Sequence, residues 1–271
     1  MSHKQEKSED RFAFGKNWKD YLDTQFNDIA LAAAKKAITR FVGEDGLKGK
    51  TVVDVGCGSG IHSLAMLELG AASVLSVDID TDSVDCSEHL RGKSPFTDTW
   101  QVKKVSLLSK EEMAAIGTFD MVYCWGVAHH TGEMYKAFDH LVDAVAPEGQ
   151  LYIAIYNKVD GLFGSAHWHK IKKFYVRSAK PVKKIMEWGY VSYHFSRLLI
   201  RFKNPFTVMK SFYKKRGMSW KHDFIDWLGG FPYEYASLEQ MFDYFCTKKG
   251  MKIENVKTTN YIGNNQLLLR K

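Results

Sequence analysis

Cysteine is scarce in this sequence. Its four residues, Cys57, Cys86, Cys124 and Cys246, lie far apart with no C-x-x-C pair. That spacing argues against a disulfide framework and a zinc ribbon, and it points to a reducing compartment. Proline is also scarce for the length, five in 271 residues, which excludes a collagen-like chain. No apolar run reaches the ~18 residues that would argue for a membrane-spanning helix. The opening MSHKQEKSED is polar and mixed in charge, unlike a secretory leader. What is present suffices for a core: 45% of residues are hydrophobic and 25% charged. The expectation is one large domain with a substantial insertion, located in the cytoplasm.

Acids are nearly missing from one stretch. Residues 158–221 hold 16 Lys and Arg against Asp160 and Glu187, a local charge of +14 in a chain whose total is +7. The remainder is therefore mildly acidic. The same stretch carries 13 of the 37 aromatic residues. Such a block is either a solvated helical face or a surface for something anionic: an acceptor molecule, a nucleic acid or a membrane surface.

Periodicity divides the rest. Apolar residues from Phe12 to Phe41 recur at helical spacing, with Gly43 as a stop. Short apolar runs at 51–56, 73–77, 101–105, 119–124 and 151–156 alternate with helical segments at 61–69, 82–90, 110–116 and 134–145. Regular alternation predicts a parallel sheet with helices on both faces. A helix at 237–249 and strands at 253–257 and 266–269 follow the basic block. The predicted organisation is an N-terminal helical segment (1–48), a core (49–157), a basic helical cap insertion (158–235), and a C-terminal helix with a strand hairpin (236–271).

The densest local signal is Asp54-Val55-Gly56-Cys57-Gly58-Ser59-Gly60, between a strand and a helix. Glycines there permit a sharp turn and close approach of a ligand to the backbone. The spacing is neither the dinucleotide G-x-G-x-x-G nor a phosphate loop, since no Gly-Lys-Ser/Thr follows. Asp54 would suit a cationic ligand group, and Asp78, ending the second strand, could accept from both hydroxyls of a ribose. The alternative is a tight structural turn with a helix cap.

These segments as a set resemble the class I S-adenosylmethionine-dependent methyltransferases. Val52–Gly60 resembles their first motif, Val77–Asp80 their second, Phe119–His130 the fourth-strand motif, and Leu141–Tyr152 the next. The similarity covers about 35–157 and is nearest to the UbiG-like, methyltransferase-domain group acting on small molecules. Arg11–Trp18 and Asp226–Tyr233 also resemble segments of that group. The resemblance implies a Rossmann-like, doubly wound, mostly parallel seven-stranded α/β sheet with a helical cap, and S-adenosyl-L-methionine as cofactor. It further implies that Gly56, Gly58 and Gly60 pass under the methionine part, with Asp54 near its amino group. Asp78 would hold the ribose, Ile79 would pack on adenine, and Trp125 would contribute its backbone. Ser106, followed by Leu107, stands where members of the family often carry an acid for the adenine amine.

Methyl transfer to a hydroxyl needs alignment, exclusion of water and a base. His129 and His130 lie just past the fourth strand and are the candidate bases, unless they only hold the loop. Tyr156 and Asn157, at the carboxyl edge of the sheet, and His222 and Asp226, beyond the basic block, are candidate substrate contacts. No metal set is read. The leading expectation is O-methylation of a small molecule or glycan, with peripheral contact at a membrane. The alternatives are an RNA methyltransferase using the basic block, or a non-catalytic cofactor-binding partner subunit.

Overall fold

The structure is a computed structural model that describes residues 28–205, 207–209 and 220–271; the side chains of 220–223 and 226 lie outside that description. Its centre is a seven-stranded sheet. The strands are β1 (Thr51–Val55), β2 (Ser73–Asp78), β3 (Trp100–Lys104), β4 (Phe119–Trp125), β5 (Val145–Tyr156), β6 (Lys252–Lys257) and β7 (Asn264–Arg270). They lie in the order β3-β2-β1-β4-β5-β7-β6, and the first five are parallel. β7 runs antiparallel between β5 and β6. This is the parallel sheet that the alternating pattern predicts, in the Rossmann-like, doubly wound form that the resemblance implies.

Period-2 alternation assigns the strand residues to two cores. Val53, Val55, Val122, Cys124, Leu151 and Ile153 face one side. There they meet α5 (Met134–Asp143) and α9 (Leu238–Phe242) through Phe138, Leu141 and Met241. Val52, Val74, Met121, Tyr123 and Tyr152 face the other side. That side is covered by α1 (Asp28–Val42), α2 (Ile61–Glu68) and α3 (Thr81–Lys93) through Ile38, Phe41, Leu64, Ala65 and Leu90. Helices on both faces explain why the central strands read as continuous apolar runs.

One polar line interrupts the second core. The buried Trp100 indole N–H donates to Ser76 Oγ at 2.7 Å, and Ser76 donates to Ser63 Oγ at 2.6 Å. Ser63 in turn donates to Asp54 Oδ2 at 2.5 Å. Ser63, Ser76 and Trp100 are fully buried, and Asp54 nearly so. Each hydroxyl accepts one hydrogen bond and donates one, so the line runs in a single direction from β3 through β2 and α2 to the carboxylate of β1.

Some boundaries differ from the sequence expectation. β5 begins at Val145: its register with β4 shifts between Phe119 and Met121, so the Pro147-Glu148-Gly149 turn becomes a bulge within the strand. Glu148 adopts a φ of 60° there. The helix expected at 237–249 opens with a Ser237–Gln240 capping box and widens into a π turn at Asp243–Lys248. The helix expected from Phe12 is described only from Asp28; 12–27 lie outside the described residues, as does 11–18. α4 (Lys110–Ala115) precedes β4. Between β5 and α9 come α6 (Ser165–Arg177), α7 (Lys180–Ile200) and α8 (Trp220–Gly229).

Replacing Trp100 by Phe removes the first donor of the buried line and leaves a small void. The expected loss of unfolding free energy is about 1–3 kcal/mol, read from urea denaturation midpoints. An unchanged midpoint would mean that the line carries no stability.

Candidate active site

β1 and β2 point the same way, and the chain order reverses between β1 and β4, so a crevice opens beyond their carboxyl ends. The loop 56–60 fills its floor. Gly56 and Cys57 both donate backbone N–H groups to Val77 O, at 2.7 and 3.1 Å. Gly56 has a φ of 78°, and a Cβ there would meet the Val127 side chain at 2.3 Å, so only glycine fits. Asp78 secures the loop from the next strand: one oxygen accepts from Gly58 N at 3.1 Å and the other from Asp80 N at 2.9 Å. Burial raises its carboxyl above the ordinary range, and the backbone hydrogen bonds oppose that rise.

A continuous cleft of about 1980 Å³ runs from this loop to the insertion. At the loop end its lining includes Gly56, Gly58, Asp78, Ile79, Ser106, Leu107 and Trp125, so these candidate residues share one space. Ser106 N donates to Glu112 Oε2 at 2.8 Å, and Leu107 O pairs with His140 Nδ1 at 2.7 Å, which fixes the segment after β3. Two expected contacts sit behind the lining. Gly60 starts α2 with a φ of 78° and packs against Ser87. Asp54 lies beneath the loop and gives its carboxylate to Ser63.

The turn after β4 reaches the same cleft. His129 and His130 both line it, 4.3 Å apart between ring centroids. His130 Nδ1 pairs with the Pro232 carbonyl at 2.6 Å, so this ring fastens the turn to the segment after α8. His129 differs. It is buried, its ring lies 4.0 Å from that of Tyr156, and neither of its nitrogens has a hydrogen-bond partner among the described residues. Burial first, then His130 and Lys172, hold its pKa well below the usual imidazole value. The ring is therefore neutral at physiological pH.

The far end is aromatic. Tyr156, Trp168, Tyr190, Phe224 and Trp227 line it. The Tyr156 and Trp227 rings meet edge-on at 5.4 Å, and those of Trp168 and Trp227 at 5.1 Å. The Trp227 indole N–H is buried without a partner among the described residues. Asn157, expected here, is instead a clamp: its amide donates to Thr259 O at 2.5 Å and accepts from Asn265 Nδ2 at 3.1 Å. It is not part of the lining. His222 and Asp226 fall on α8, with side chains outside the description.

Several features were not anticipated. Lys172, counted above with the basic block, is fully buried; its ammonium donates to Trp227 O and lies 4.0 Å from the Trp227 ring centroid and 5.0 Å from that of Tyr233. Nothing in the local Lys-Ile-Lys-Lys run separates it from its exposed neighbours. His62, on the first turn of α2, lines the cleft, and burial lowers its pKa to about 4. The small residues Ala30, Ala33, Ala34 and Ala37 of α1 also line it; their helical spacing was legible, but not the surface they face.

The Asp54 carboxyl gives a pH signature. Burial raises its pKa to about 7, against the Ser63 hydrogen bond and with the help of the Asp78 charge. In an unfolded chain an Asp ionises near ~3.9. Between that value and about 7, the folded chain keeps a proton that the unfolded chain releases, so this group's contribution to stability falls as pH rises through the window. Asp54→Asn is expected to remove that slope, a difference from the parent on the order of 2–4 kcal/mol across the window. Urea midpoints measured from acid to neutral pH check it, and parallel curves for parent and variant would contradict it.

Known proteins share these features. A family model described as a methyltransferase domain matches residues 26–238. The tRNA U34 carboxymethyltransferase of Methylococcus capsulatus is 36% identical over 110 residues, 40% of this chain and 32% of that protein. The ubiquinone biosynthesis O-methyltransferase of Psychrobacter arcticus is 32% identical over 117 residues, 42% of this chain and 44% of that protein. The similarity thus spans less than half the length of either relative. Among solved structures, the magnesium protoporphyrin IX methyltransferase of Synechocystis with bound SAH shares the fold. Its TM-score is 0.54 at 15% identity, over 94% of this chain and 93% of that one. The glycine-only floor at Gly56 and the acceptor Asp78 beside it fit S-adenosylmethionine, which supplies an activated methyl group when bound. The chain belongs to the methyltransferase-domain family.

Proposed function

We propose that this chain O-methylates a small molecule or glycan held at the aromatic end of the cleft. The observation that carries the reading is the continuity of that cleft: the glycine loop, His129 and the Tyr156–Trp168–Trp227 cluster line one space. About 1980 Å³ exceeds an ordinary single-ligand pocket of roughly 300–1,000 Å³ and leaves room for cofactor and acceptor together. Aromatic walls suit either a flat ring or the C–H face of a sugar.

His129 is the proposed base. Its ring, without a hydrogen-bond partner among the described residues, can accept a hydroxyl proton as the acceptor oxygen bonds to the methyl carbon and the carbon–sulfur bond breaks. Burial around it excludes water from the reacting atoms. RNA is the second reading, favoured by the +14 block and by the relative named for tRNA. Methyl-labelled cofactor incubated with fractionated cell extract separates the two. Label in small molecules or polysaccharide supports the proposal, and label confined to RNA overturns it.

Two variants probe the site. Asp78→Ala is expected to weaken S-adenosylmethionine binding by about 2–4 kcal/mol, measured by calorimetry, through loss of charge-assisted hydrogen bonds. Unchanged affinity would remove Asp78 from the cofactor site. His129→Phe keeps an aromatic ring against Tyr156, one atom larger, and removes both nitrogens. Turnover is expected to fall roughly 10²–10⁴-fold with thermal stability and cofactor affinity retained. Since those nitrogens bond to nothing among the described residues, a structural role for them predicts no loss of turnover.

A further inference from the structure

α7 is a 21-residue helix with no buried residue. One side of it is nevertheless engaged. Glu187 accepts from the Tyr175 hydroxyl of α6 at 2.9 Å, Tyr190 meets Trp168 at 5.8 Å, and His194 meets Phe224 of α8 at 5.0 Å. Tyr190, His194 and Arg197 on this side reach the cleft.

The opposite side has the reverse composition. Val182, Ile185, Trp188, Leu199 and Ile200 recur at helical spacing and are all exposed, Trp188 at 72% and Ile200 at 77%. Small residues, Gly189, Ser192 and Ser196, stand between them on the same stripe and are exposed. Phe202, just past the helix, is 98% exposed with a φ of 54°. A surface this apolar is uncommon on a water-facing helix. Exposed cations flank it at both ends: Lys180 before it, Arg201 and Lys203 after it. The sole acid of the helix, Glu187, is on the engaged side, where it also pairs with Lys184 at 2.7 Å.

We propose that this outer face of α7 is a docking surface for an anionic lipid bilayer, with the helix lying in the plane of the interface. An interfacial helix needs an apolar stripe, an aromatic at headgroup depth and cations for anionic lipid, and α7 supplies each. Charge selects the occupant. A second copy on the same face would bring the terminal cations of two helices against one another, whereas phosphate headgroups neutralise them. Docking places the bilayer beside a wall of the cleft, because α7 presents Tyr190 and Arg197 to the one and Trp188 to the other. The inference is independent of the acceptor proposed above.

The test uses the full chain and vesicles of phosphatidylcholine with and without phosphatidylglycerol. The parent is expected to sediment with phosphatidylglycerol-containing vesicles, less so at high salt, with a blue shift of tryptophan emission that Trp188→Ser abolishes. Trp188→Ser combined with Leu199→Ser is expected to weaken binding at least tenfold, as is Lys180→Glu combined with Arg201→Glu. These positions are exposed, so melting temperature and cofactor affinity should stay as in the parent. The proposal is overturned if the parent remains in the supernatant, or if both double variants bind vesicles as the parent does. It is equally overturned if the parent is a dimer in solution that Trp188→Ser/Leu199→Ser dissociates, since the occupant is then a second copy.

Discussion

The hydrogen-bonded line from Trp100 through Ser76 and Ser63 to Asp54 is the interaction on which the site rests. It crosses three strands' worth of apolar core and ends on a carboxylate directly under the glycine loop. Because every hydroxyl in it both accepts and donates, no member can rotate away without leaving a buried polar group unsatisfied. The line therefore fixes α2 against β1 and β2 at the height where the loop must turn. Above it, the Val77 carbonyl and the Asp78 carboxylate collect the loop's N–H groups. Gly56 completes the arrangement by presenting bare backbone where any side chain would strike Val127.

The same burial that organises the floor tunes the walls. His62 and His129 lie in apolar surroundings and stay neutral, while Asp54 is held near the midpoint of its titration at physiological pH. A cationic ligand over the loop would draw that carboxyl toward its ionised form, coupling occupancy of the floor to proton release. The insertion adds what the sheet cannot. Its aromatic residues wall the far end of the cleft around Tyr156, and the buried Lys172 ties α6 to α8 through the Trp227 carbonyl. α7 closes one side and turns its own apolar stripe outward.

Much of this was legible in the sequence where local pattern and tertiary outcome agree. Alternating apolar runs give the strands, since residues of period two must serve two cores. The glycine spacing with Asp78 gives the tight loop and its anchor, because positive φ and close approach demand glycine. What was hidden depends on partners far away in sequence. Ser63, Ser76 and Trp100 are unremarkable singly, and only the register Asp54–Ser76 of β1 and β2 brings them into line. Lys172 looks like its exposed neighbours until Trp227 and Tyr233 fold over it. Asn157 sits at the edge where ligands bind, yet the hairpin of β6 and β7 captures its amide first. The boundaries moved where a turn could be absorbed into a strand, as at Glu148, or where a helix widened, as after Phe242.

Amide hydrogen exchange with and without S-adenosylmethionine tests the central claim most directly, since it reads the loop itself and needs no acceptor. If the buried line holds a preformed floor for the cofactor, Ser76 and Val77 exchange slowly in both states. Added cofactor should then protect the loop 56–60 and the segment 78–80, with smaller effects at 106–108 and none on the strands β6 and β7. Cofactor-induced protection that spreads over β1, β2 and α2 would show a floor ordered only on binding. An exchange pattern that cofactor leaves unchanged at 56–60 would contradict the assignment of this loop altogether.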